Sequence, residues 1–334
     1  MQNLSPATTP EQATPRPAVQ LRTANADDAG QRLDNFLIRC LKGVPKSHIH
    51  SMIRSGEVRI NKGRVHSDTR ITEGDVVRIP PVRVSAPNVG IIPPKAYPVV
   101  YEDEDVLCIN KPAGVAVHGG SGVAYGVIEQ LRVHLQINEF GGKQAASFIE
   151  LVHRLDRDTS GVLMLAKNRK ALVAMQESLK QGLWKKQYCC VVFGVPTFVQ
   201  QEVNIPLRKT SNEAGERHVY LAKGVGNGEG EGQFALTRFR VLRKNAQGAE
   251  LSARIMTGRT HQIRVHAQSL GLPLAGDEKY GDFERNKLLR SIGLKRLMLH
   301  AQTLSLPHPK TGLMLQFEAT PPKEYQSFAA SFLK

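Results

Sequence analysis

The residues best suited to chemistry lie between two apolar runs, in the stretch from Glu150 to Lys167. The runs 151–152 and 162–166 are typical of buried strands, which would hold the loop between them on a rigid frame. That loop carries a dense set of polar side chains, namely His153, Arg154, Asp156, Arg157, Asp158, Thr159 and Ser160. Charge beside a core is costly unless it is paired or meets a polar ligand, so the loop is either a solvated, ion-paired turn or a ligand site.

Two further segments carry polar residues that neither a strand nor a helix requires. Lys186-Gln187-Tyr188 opens an apolar run, and Thr257–His266 lies later in the chain. In the second segment, His261, Arg264 and Gln268 follow the spacing i, i+3, i+7 and therefore share one face of a helix. Together with the charged loop, these segments are the candidate positions for chemistry.

The composition predicts two domains and a polyanionic partner. A chain of 334 residues is long for a single domain, and its net charge of +15 favours nucleic acid or an anionic membrane surface. No window approaches the ~18 consecutive apolar residues of a spanning helix, and the N-terminus lacks the apolar core of a signal peptide. We therefore expect a cytoplasmic protein that binds nucleic acid and does not attach to a membrane.

The cysteines and histidines give no pattern of a metal site. The four cysteines, Cys40, Cys108, Cys189 and Cys190, match no zinc spacing, and the adjacent pair cannot form an ordinary disulfide. Eleven histidines are present without an HxxxH or HExxH pattern. These observations fit a reduced cytosolic compartment and predict no metal.

Composition divides the chain into four parts. Residues 1–18 contain four prolines and almost no large apolar residue, which is typical of a disordered tail. Residues 19–84 form a small module, and residues 85–98, with four prolines, form a stiffened linker. Residues 99–334 form the larger domain.

The small module is predicted to contain two helices followed by short strands. Apolar residues between Gln31 and Leu41 recur at helical spacing, and a second helix runs from a cap at Ser47 to Ser55. Lys46, His50 and Arg54 recur every four residues and form a basic stripe along the second helix.

The larger domain is predicted to be α+β, with a mixed, mainly antiparallel sheet. Apolar patterns predict a strand, an acidic turn and a second strand within 99–110, and single strands at 186–193, 235–242, 249–256, 297–301 and 314–319. They predict helices at 121–135, at 260–269 and after a cap at Asn168. Residues 224–232 have glycine at every second position and are expected to form a hairpin tip.

The small module resembles an S4-like (α-L) RNA-binding domain. The resemblance rests on Arg32-Leu-Asp-Asn-Phe-Leu37, on 47–61 and on Glu73-Gly-Asp-Val-Val77. Such domains bind structured RNA with the second helix and the turn after it. The resemblance implies as candidate RNA contacts Lys46, His48, His50, Arg54, Arg59, Lys62 and Arg64. The alternative is an ordinary solvated basic face.

The larger domain resembles a pseudouridine synthase of the RluA type. His153-Arg-Leu-Asp-Arg-Asp-Thr-Ser-Gly161 matches the family signature HRLDxxTSG, and Asn110–His118 matches its NKPxGxxVH loop. Gly258–His266, followed by Gly271–Tyr280, matches its C-terminal motif. The resemblance covers roughly residues 30–330, with both domains in the order of the family.

The resemblance implies a role for each candidate catalytic residue. The family breaks the N1–C1′ bond of uridine, rotates the uracil and joins its C5 to C1′. Asp156 is implied as the catalytic carboxylate, either as a nucleophile at C1′ or as a base at C2′. Arg264 is implied as its ionic partner, which would keep it ionised. Tyr188 is implied to stack on the uracil and to assist removal of the C5 proton.

The remaining polar residues are expected to support this reaction. The uridine must leave the helix stack, and the resemblance implies that Arg154 fills the space it vacates. Arg259 is a candidate contact to RNA phosphate. His153 is interpreted as a group that orients the loop, and Asp158 as a structural residue. The reaction involves no redox step and no group donor, so no cofactor is implied.

The function expected from the resemblance is isomerisation of specific uridines of 23S rRNA, either free or in a large-subunit assembly intermediate, by a monomer. One alternative is an enzyme of the same family that acts on tRNA or on other rRNA uridines. A second alternative is a non-catalytic RNA-binding protein of ribosome assembly.

Overall fold

The computed structural model describes residues 18–41, 44–82, 92–120, 123–140, 148–211, 217–226, 228, 230–291 and 293–334. The chain divides into two compact units, with the boundary between Val89 and Gly90. The predicted N-terminal tail lies outside the described residues, apart from Ala18, and so do residues 85–91 of the predicted linker.

The first unit has two helices and a small antiparallel sheet. Its elements are β1 (Gln20–Thr23), α1 (Leu33–Cys40), α2 (Lys46–Arg54), β2 (Arg59–Ile60), β3 (Gly63–Arg64) and β4 (Val76–Ile79). The strand order is β1-β4-β2-β3. Asn61 and Lys62 join β2 to β3 with φ angles of 49° and 68°, the left-handed conformation of a tight hairpin turn.

The two helices bury the apolar faces that the sequence predicts. Phe36 and Leu37 of α1 pack with Ile49 and Ile53 of α2 in one core. The predicted start of α2 is wrong by two residues, because Pro45 and not Ser47 is the capping residue, the helix begins at Lys46, and no side chain caps it. Proline supplies no N–H to the first turn, so this start leaves fewer donors unpaired.

The second unit contains fourteen of the strands and five of the helices among the described residues. Its first half comprises β5 (Val99–Glu102), β6 (Val106–Lys111), α3 (Val127–Phe140), β7 (Glu150–Leu151), β8 (Ser160–Ala166), α4 (Arg169–Lys180), β9 (Lys185–Phe193), β10 (Gln200–Asn204), β11 (Leu207–Ser211) and β12 (Arg217–Leu221). Its second half comprises β13 (Gly224–Val225), β14 (Glu231–Gly232), β15 (Leu236–Lys244), β16 (Gly248–Ile255), α5 (Gln262–Ser269), α6 (Phe283–Ser291), β17 (Leu299–Pro307), β18 (Met314–Glu318) and α7 (Lys323–Phe332).

One ten-stranded sheet organises this unit. Its main order is β10-β15-β16-β9-β17-β8-β6-β5, with β18 beside β17 and β7 beside β8. The pairing of β17 with β8 is parallel, and the other pairings in this sheet are antiparallel. The predicted α+β class with a mainly antiparallel sheet is confirmed. The hairpin expected at 224–232 is wrong, because β13 and β14 pair in parallel.

The helices cover the sheet as their apolar faces require. Helix α4 buries Leu172 and Met175 against Val106 and Met164 of the sheet. Its predicted cap is confirmed, since the Asn168 side chain accepts a hydrogen bond from the backbone N–H of Ala171 at 2.8 Å.

Helix α3 begins six residues later than the sequence predicts, at Val127 rather than 121. It packs on the segment that precedes β5. The hydroxyl of Tyr97 donates to Oε1 of Gln130 at 2.6 Å, and both side chains are buried. The end of the proline-rich stretch 85–98 therefore belongs to the core of the second unit, while its role as a linker stays a prediction.

Within the part of the chain that the structure describes, no helix has both the length and the apolar character needed to cross a bilayer.

Candidate active site

The three polar segments meet at one cleft of about 570 Å³ in the second unit. The cleft is lined by the charged loop, by Lys186 and Tyr188 of β9 and by residues 255–264. The candidate residues that line this cleft are Arg154, Asp156, Tyr188, Arg259 and Arg264.

The charged loop enters the sheet through Ser160 and Gly161, the first residues of β8. Gly161 pairs with Ala301 of β17 and has a φ angle of 116°. A β-carbon at Gly161 would overlap the backbone of Ala301. Only glycine fits this close approach, so the last residue of the HRLDxxTSG motif fixes the point at which the loop joins β8.

A buried lysine ties the loop to the neighbouring motif. The Nζ of Lys111 donates to the carbonyls of Pro112 at 2.8 Å, Val115 at 2.7 Å and Arg157 at 3.0 Å. Burial lowers the pKa of Lys111 to about 7, against the opposing charges of Asp158 and Asp156. Sequence reasoning missed this residue, although it lies in the NKPxG motif, because a lysine at the end of a strand usually faces solvent.

A second buried network holds the other end of the loop. The hydroxyl of Ser160 accepts a hydrogen bond from Arg296 Nη2 at 2.7 Å and lies 2.8 Å from Nδ1 of His300. The Nε2 of His300 lies 2.8 Å from the carbonyl of Ala319, so it carries the proton and Nδ1 accepts from Ser160. Burial lowers the pKa of His300 to about 4, which keeps the ring neutral.

Arg264 links Asp156 to a second carboxylate. Its Nε and Nη2 both donate to Asp277 at 2.7 Å, in a bidentate pair. Its Nη1 lies 3.9 Å from Oδ2 of Asp156. The Arg264 side chain is 7 % exposed and that of Asp156 is 22 % exposed, so Asp156 is the group open to the cleft. Asp277 was missed, although it lies inside the C-terminal motif.

The charges of Asp156, Arg264 and Asp277 stabilise one another. Burial alone would lower the pKa of Arg264, but the hydrogen bond and charge of Asp277, together with the charge of Asp156, raise it. Burial alone would raise the pKa of Asp277, but the hydrogen bond and charge of Arg264 lower it. Arg264 and Asp277 are therefore both ionised near neutral pH, and the guanidinium presents its positive charge to Asp156.

Tyr280 supports the guanidinium from the side. The Arg264 guanidinium lies 5.0 Å from the centre of the Tyr280 ring. The Tyr280 hydroxyl accepts the backbone N–H of Val219 at 3.0 Å and lies 2.8 Å from Nδ1 of His261. Burial lowers the pKa of His261 to about 4, so the imidazole that shares this hydrogen bond with Tyr280 is neutral.

Tyr188 lines the cleft as a buried side chain. Burial, and then the negative charge of Asp156, raise the pKa of its phenol well above the ordinary value. The hydroxyl therefore stays protonated near neutral pH, and the ring offers a flat apolar surface to a base.

His153 orients the loop, as predicted. Its Nε2 accepts the backbone N–H of Met164 at 3.0 Å, and its ring meets the Trp184 ring edge-on with centres 5.5 Å apart. Burial, and then the charge of Lys186, hold the pKa of His153 well below its usual range. Asp158 pairs with the neighbouring Arg157 at 3.1 Å.

The remaining candidates differ in accessibility. Arg154 and Arg259 are exposed at the cleft, and Arg259 donates from Nε to the carbonyl of Phe234 at 3.0 Å. His266 is buried, with Nδ1 2.9 Å from the Thr237 hydroxyl and Nε2 2.9 Å from the carbonyl of Ile205. His266 is therefore a structural residue of α5 and is not open to phosphate.

One group of possible metal ligands occurs among the described residues, outside the cleft. Oxygen and nitrogen atoms of Asp103, Asp105 and His308 lie within 4.8 Å of one another. The Asp103 carboxylate already accepts hydrogen bonds from the Tyr101 hydroxyl and from the backbone of Asp105 and Val106. These bonds are those of a tight turn between β5 and β6.

The first unit has its own basic cleft, of about 430 Å³. His50, Arg54 and Arg64 of the candidate RNA contacts line it, and so does His66, which sequence reasoning missed. The four other candidates, Lys46, His48, Arg59 and Lys62, are exposed but do not line this cleft. Arg59 instead closes the hairpin turn, donating to the carbonyls of Gly56 at 3.2 Å and Lys62 at 3.4 Å.

Comparison with known proteins gives consistent similarities. The family described as RNA pseudouridylate synthase matches residues 105–269, and the S4 domain matches residues 31–77. The chain is 44% identical over 313 residues to ribosomal large subunit pseudouridine synthase C of Yersinia pestis, covering 92% of this chain and 93% of that protein. The protein of the same name from Escherichia coli (strain K12) is 44% identical over 315 residues, with 92% and 94% covered.

Solved structures show the same similarity. The human protein RNA pseudouridylate synthase domain containing 4 superposes with a TM-score of 0.57 at 26% identity. That match covers 71% of this chain and 94% of the human chain.

Proposed function

The chain belongs to the RNA pseudouridine synthase family, and we propose that it isomerises specific uridines of 23S ribosomal RNA to pseudouridine. The relatives named ribosomal large subunit pseudouridine synthase C match it over nearly their whole length, which supports a large-subunit rRNA substrate. The substrate is 23S rRNA, free or in a large-subunit assembly intermediate. The enzyme works in the cytoplasm as a monomer and without a cofactor.

The observation that carries this proposal is the placing of Asp156 beside Arg264, with Tyr188 lining the same cleft. A carboxylate beside a guanidinium can attack C1′ of the sugar or take the C2′ proton, and both routes release uracil for rotation. The flat ring of Tyr188 supports the uracil while it turns. Because its phenol stays protonated, it assists removal of the C5 proton as a neutral hydrogen-bonding group and not as a phenolate.

Base flipping supplies the uridine to this cleft. A base inside a helix is out of reach of Asp156, and extruding it costs a few kcal/mol. Arg154 is exposed at the cleft, two residues from Asp156. Its planar guanidinium can stack where the uridine has left, which offsets part of the extrusion cost.

The decisive test is release of tritium from 23S RNA labelled at C5 of uridine. Asp156→Asn keeps the size of the side chain but removes the charge, and we expect it to abolish tritium release while RNA binding survives. Asp158→Asn is the matched control, because Asp158 pairs with Arg157 and does not line the cleft. Tritium release by Asp156→Asn at the wild-type rate would contradict the proposal.

Mapping of pseudouridines in a deletion strain separates the substrates. Loss of pseudouridine from 23S rRNA supports the proposal, whereas loss from tRNA or from other rRNA uridines assigns a different substrate of the same family. If the strain loses none and the wild-type enzyme releases no tritium, the protein is a non-catalytic factor of ribosome assembly.

The first unit is proposed to bind RNA through the cleft lined by His50, Arg54 and Arg64. Each cation that neutralises a phosphate contributes roughly one to the slope of log K against log salt. We expect Arg54→Ala and Arg64→Ala each to reduce that slope by about one. Arg70→Ala is the control, since Arg70 is exposed but donates to the carbonyl of Gly30 and lies outside the cleft. An unchanged slope in both Arg54→Ala and Arg64→Ala would argue against RNA contact by this cleft.

A further inference from the structure

Lys186 lines the active-site cleft two residues before Tyr188 on β9. Side chains at i and i+2 of a strand lie on one face, about 7 Å apart. The Nζ of Lys186 lies 5.3 Å from the centre of the Trp184 ring. Trp184 is itself buried, and its Nε1 donates to the Ser178 hydroxyl at 2.9 Å. A fixed indole therefore holds this ammonium group against the cleft wall.

The Lys186 ammonium has no anionic partner among the residues that the structure describes. Nearby lysines differ: Lys180 lies 3.8 Å from Glu177, and Lys167 lies 2.6 Å from Glu102. Burial lowers the pKa of Lys186 to about 8. A largely desolvated cation is costly without a partner, and the ring of Trp184 offsets only part of that cost.

The cleft leaves the ammonium open to a ligand. The nearest atom to a β-carbon built at Gly258 is Nζ of Lys186, at 3.9 Å. Lys186 lines the cleft and is half-buried, and its Nζ is not among the buried unpaired atoms of the described residues, so an anion in the cleft can reach it.

The anions of RNA are its backbone phosphodiesters, and they lie near any site that holds one of its bases. A uracil over Tyr188 has its own sugar and phosphates within a few ångströms along the strand. Because Lys186 and Tyr188 lie on one face of β9 and line the same cleft, a nucleotide with its base on Tyr188 brings its phosphates to the side of the cleft that holds Lys186.

We infer that Lys186 binds a phosphate of the substrate RNA: its ammonium donates to a non-bridging oxygen of the phosphodiester next to the flipped uridine. This inference rests on the proposed function, because only a uridine that reaches Asp156 places a phosphate there. The contact fixes the nucleotide so that its base meets Tyr188 and its sugar meets Asp156.

A cycle that combines protein and RNA substitutions tests this contact. In the RNA, each linkage around the target uridine is replaced in turn by a methylphosphonate, which removes the charge. In the protein, Lys186→Met removes the ammonium and keeps the length of the side chain. Lys185→Met is the matched control, because Lys185 is the exposed neighbour in β9 and does not line the cleft.

The expected result is one linkage at which the methylphosphonate lowers kcat/KM for tritium release by about tenfold or more with the wild-type enzyme. At that linkage the substitution has no further effect in Lys186→Met, while Lys185→Met responds like the wild type. Lys186→Gln, measured in the same way, gives a second cycle with a different side chain.

The inference is overturned if the two substitutions act independently, so that their fold-changes in kcat/KM multiply at every linkage in both Lys186 variants. A wild-type enzyme that releases no tritium from unmodified RNA refutes the proposed function and this inference with it. The two failures are distinguishable, since the first occurs with a wild-type enzyme that is active.

Discussion

Arg264 forms its two short hydrogen bonds with Asp277, both at 2.7 Å, and approaches Asp156 only to 3.9 Å. Asp277 is buried, whereas Asp156 is open to the cleft. The buried carboxylate therefore fixes the guanidinium, and the remaining Nη1 presents positive charge to Asp156 without occupying both of its oxygens. Asp156 therefore keeps a free oxygen for the sugar.

Asp277→Asn is expected to lower kcat by at least about tenfold with little change in KM, because Arg264 is then free to pair fully with Asp156. Breaking the buried pair should also lower the free energy of unfolding by about 3–5 kcal/mol. Both quantities can be measured by tritium release and by urea unfolding. Glu278→Gln is the control, since Glu278 is exposed and pairs with Arg290 at 3.4 Å. Unchanged kcat in Asp277→Asn would show that Asp277 serves stability alone.

Lys111→Met is expected to destabilise the protein by roughly 2–5 kcal/mol, because three carbonyls lose their donor. One of these carbonyls belongs to Arg157, next to Asp156, so kcat should fall as well. Urea unfolding and tritium release measure the two effects. Lys310→Met, at an exposed position, should change neither, and a Lys111→Met protein of wild-type stability would contradict this account.

Gly161→Ala is expected to lower the free energy of unfolding by at least about 4 kcal/mol or to prevent folding, because the new methyl group meets the backbone of Ala301. Gly312→Ala is the matched control. Gly312 also has a positive φ, of 73°, but has open space around it, so alanine there should cost only about 1–2 kcal/mol. Equal losses of unfolding free energy in the two variants, measured by thermal or urea unfolding, would contradict the close approach at Gly161.

His300 is expected to make stability depend on pH. Its pKa is 6.5 when unperturbed and about 4 in the fold, so between these values the unfolded chain binds a proton that the folded chain does not. Stability therefore rises with pH across this window, and the contribution is lost as the pH falls towards 4. It amounts to roughly 3 kcal/mol at most.

His300→Gln isolates this contribution, because glutamine keeps a donor for the Ala319 carbonyl but does not titrate. The difference in unfolding free energy between wild type and variant should shrink as the pH falls from 7 towards 4.5. A constant difference between wild type and His300→Gln would show that folding does not lower the pKa of His300.

The sequence determined the architecture to the level of its elements. Apolar spacing located α1 and α4, and the cap at Asn168 is where the pattern placed it. It also indicated the mainly antiparallel sheet, since side-chain periodicity is a local property that follows from backbone geometry. Exact helix starts were less predictable, as α2 and α3 show, because proline at 45 and packing around Tyr97 override local preference.

The motifs in the sequence also identified which residues to consider at the site. Asp156, Tyr188 and Arg264 lie in separate segments, and their motifs alone selected all three. A match to a motif records residue types in order, so it can select residues without their distances. It cannot say which of two carboxylates an arginine prefers.

Only the tertiary structure decided the partners. In the structure, Arg264 pairs with Asp277, and Lys111 donates a hydrogen bond to the carbonyl of Arg157. Lys186 has no anionic partner among the described residues. The two hydrogen-bonded pairs are 13 and 46 positions apart along the chain. Burial and charge act through space, so no local pattern in the sequence contains them.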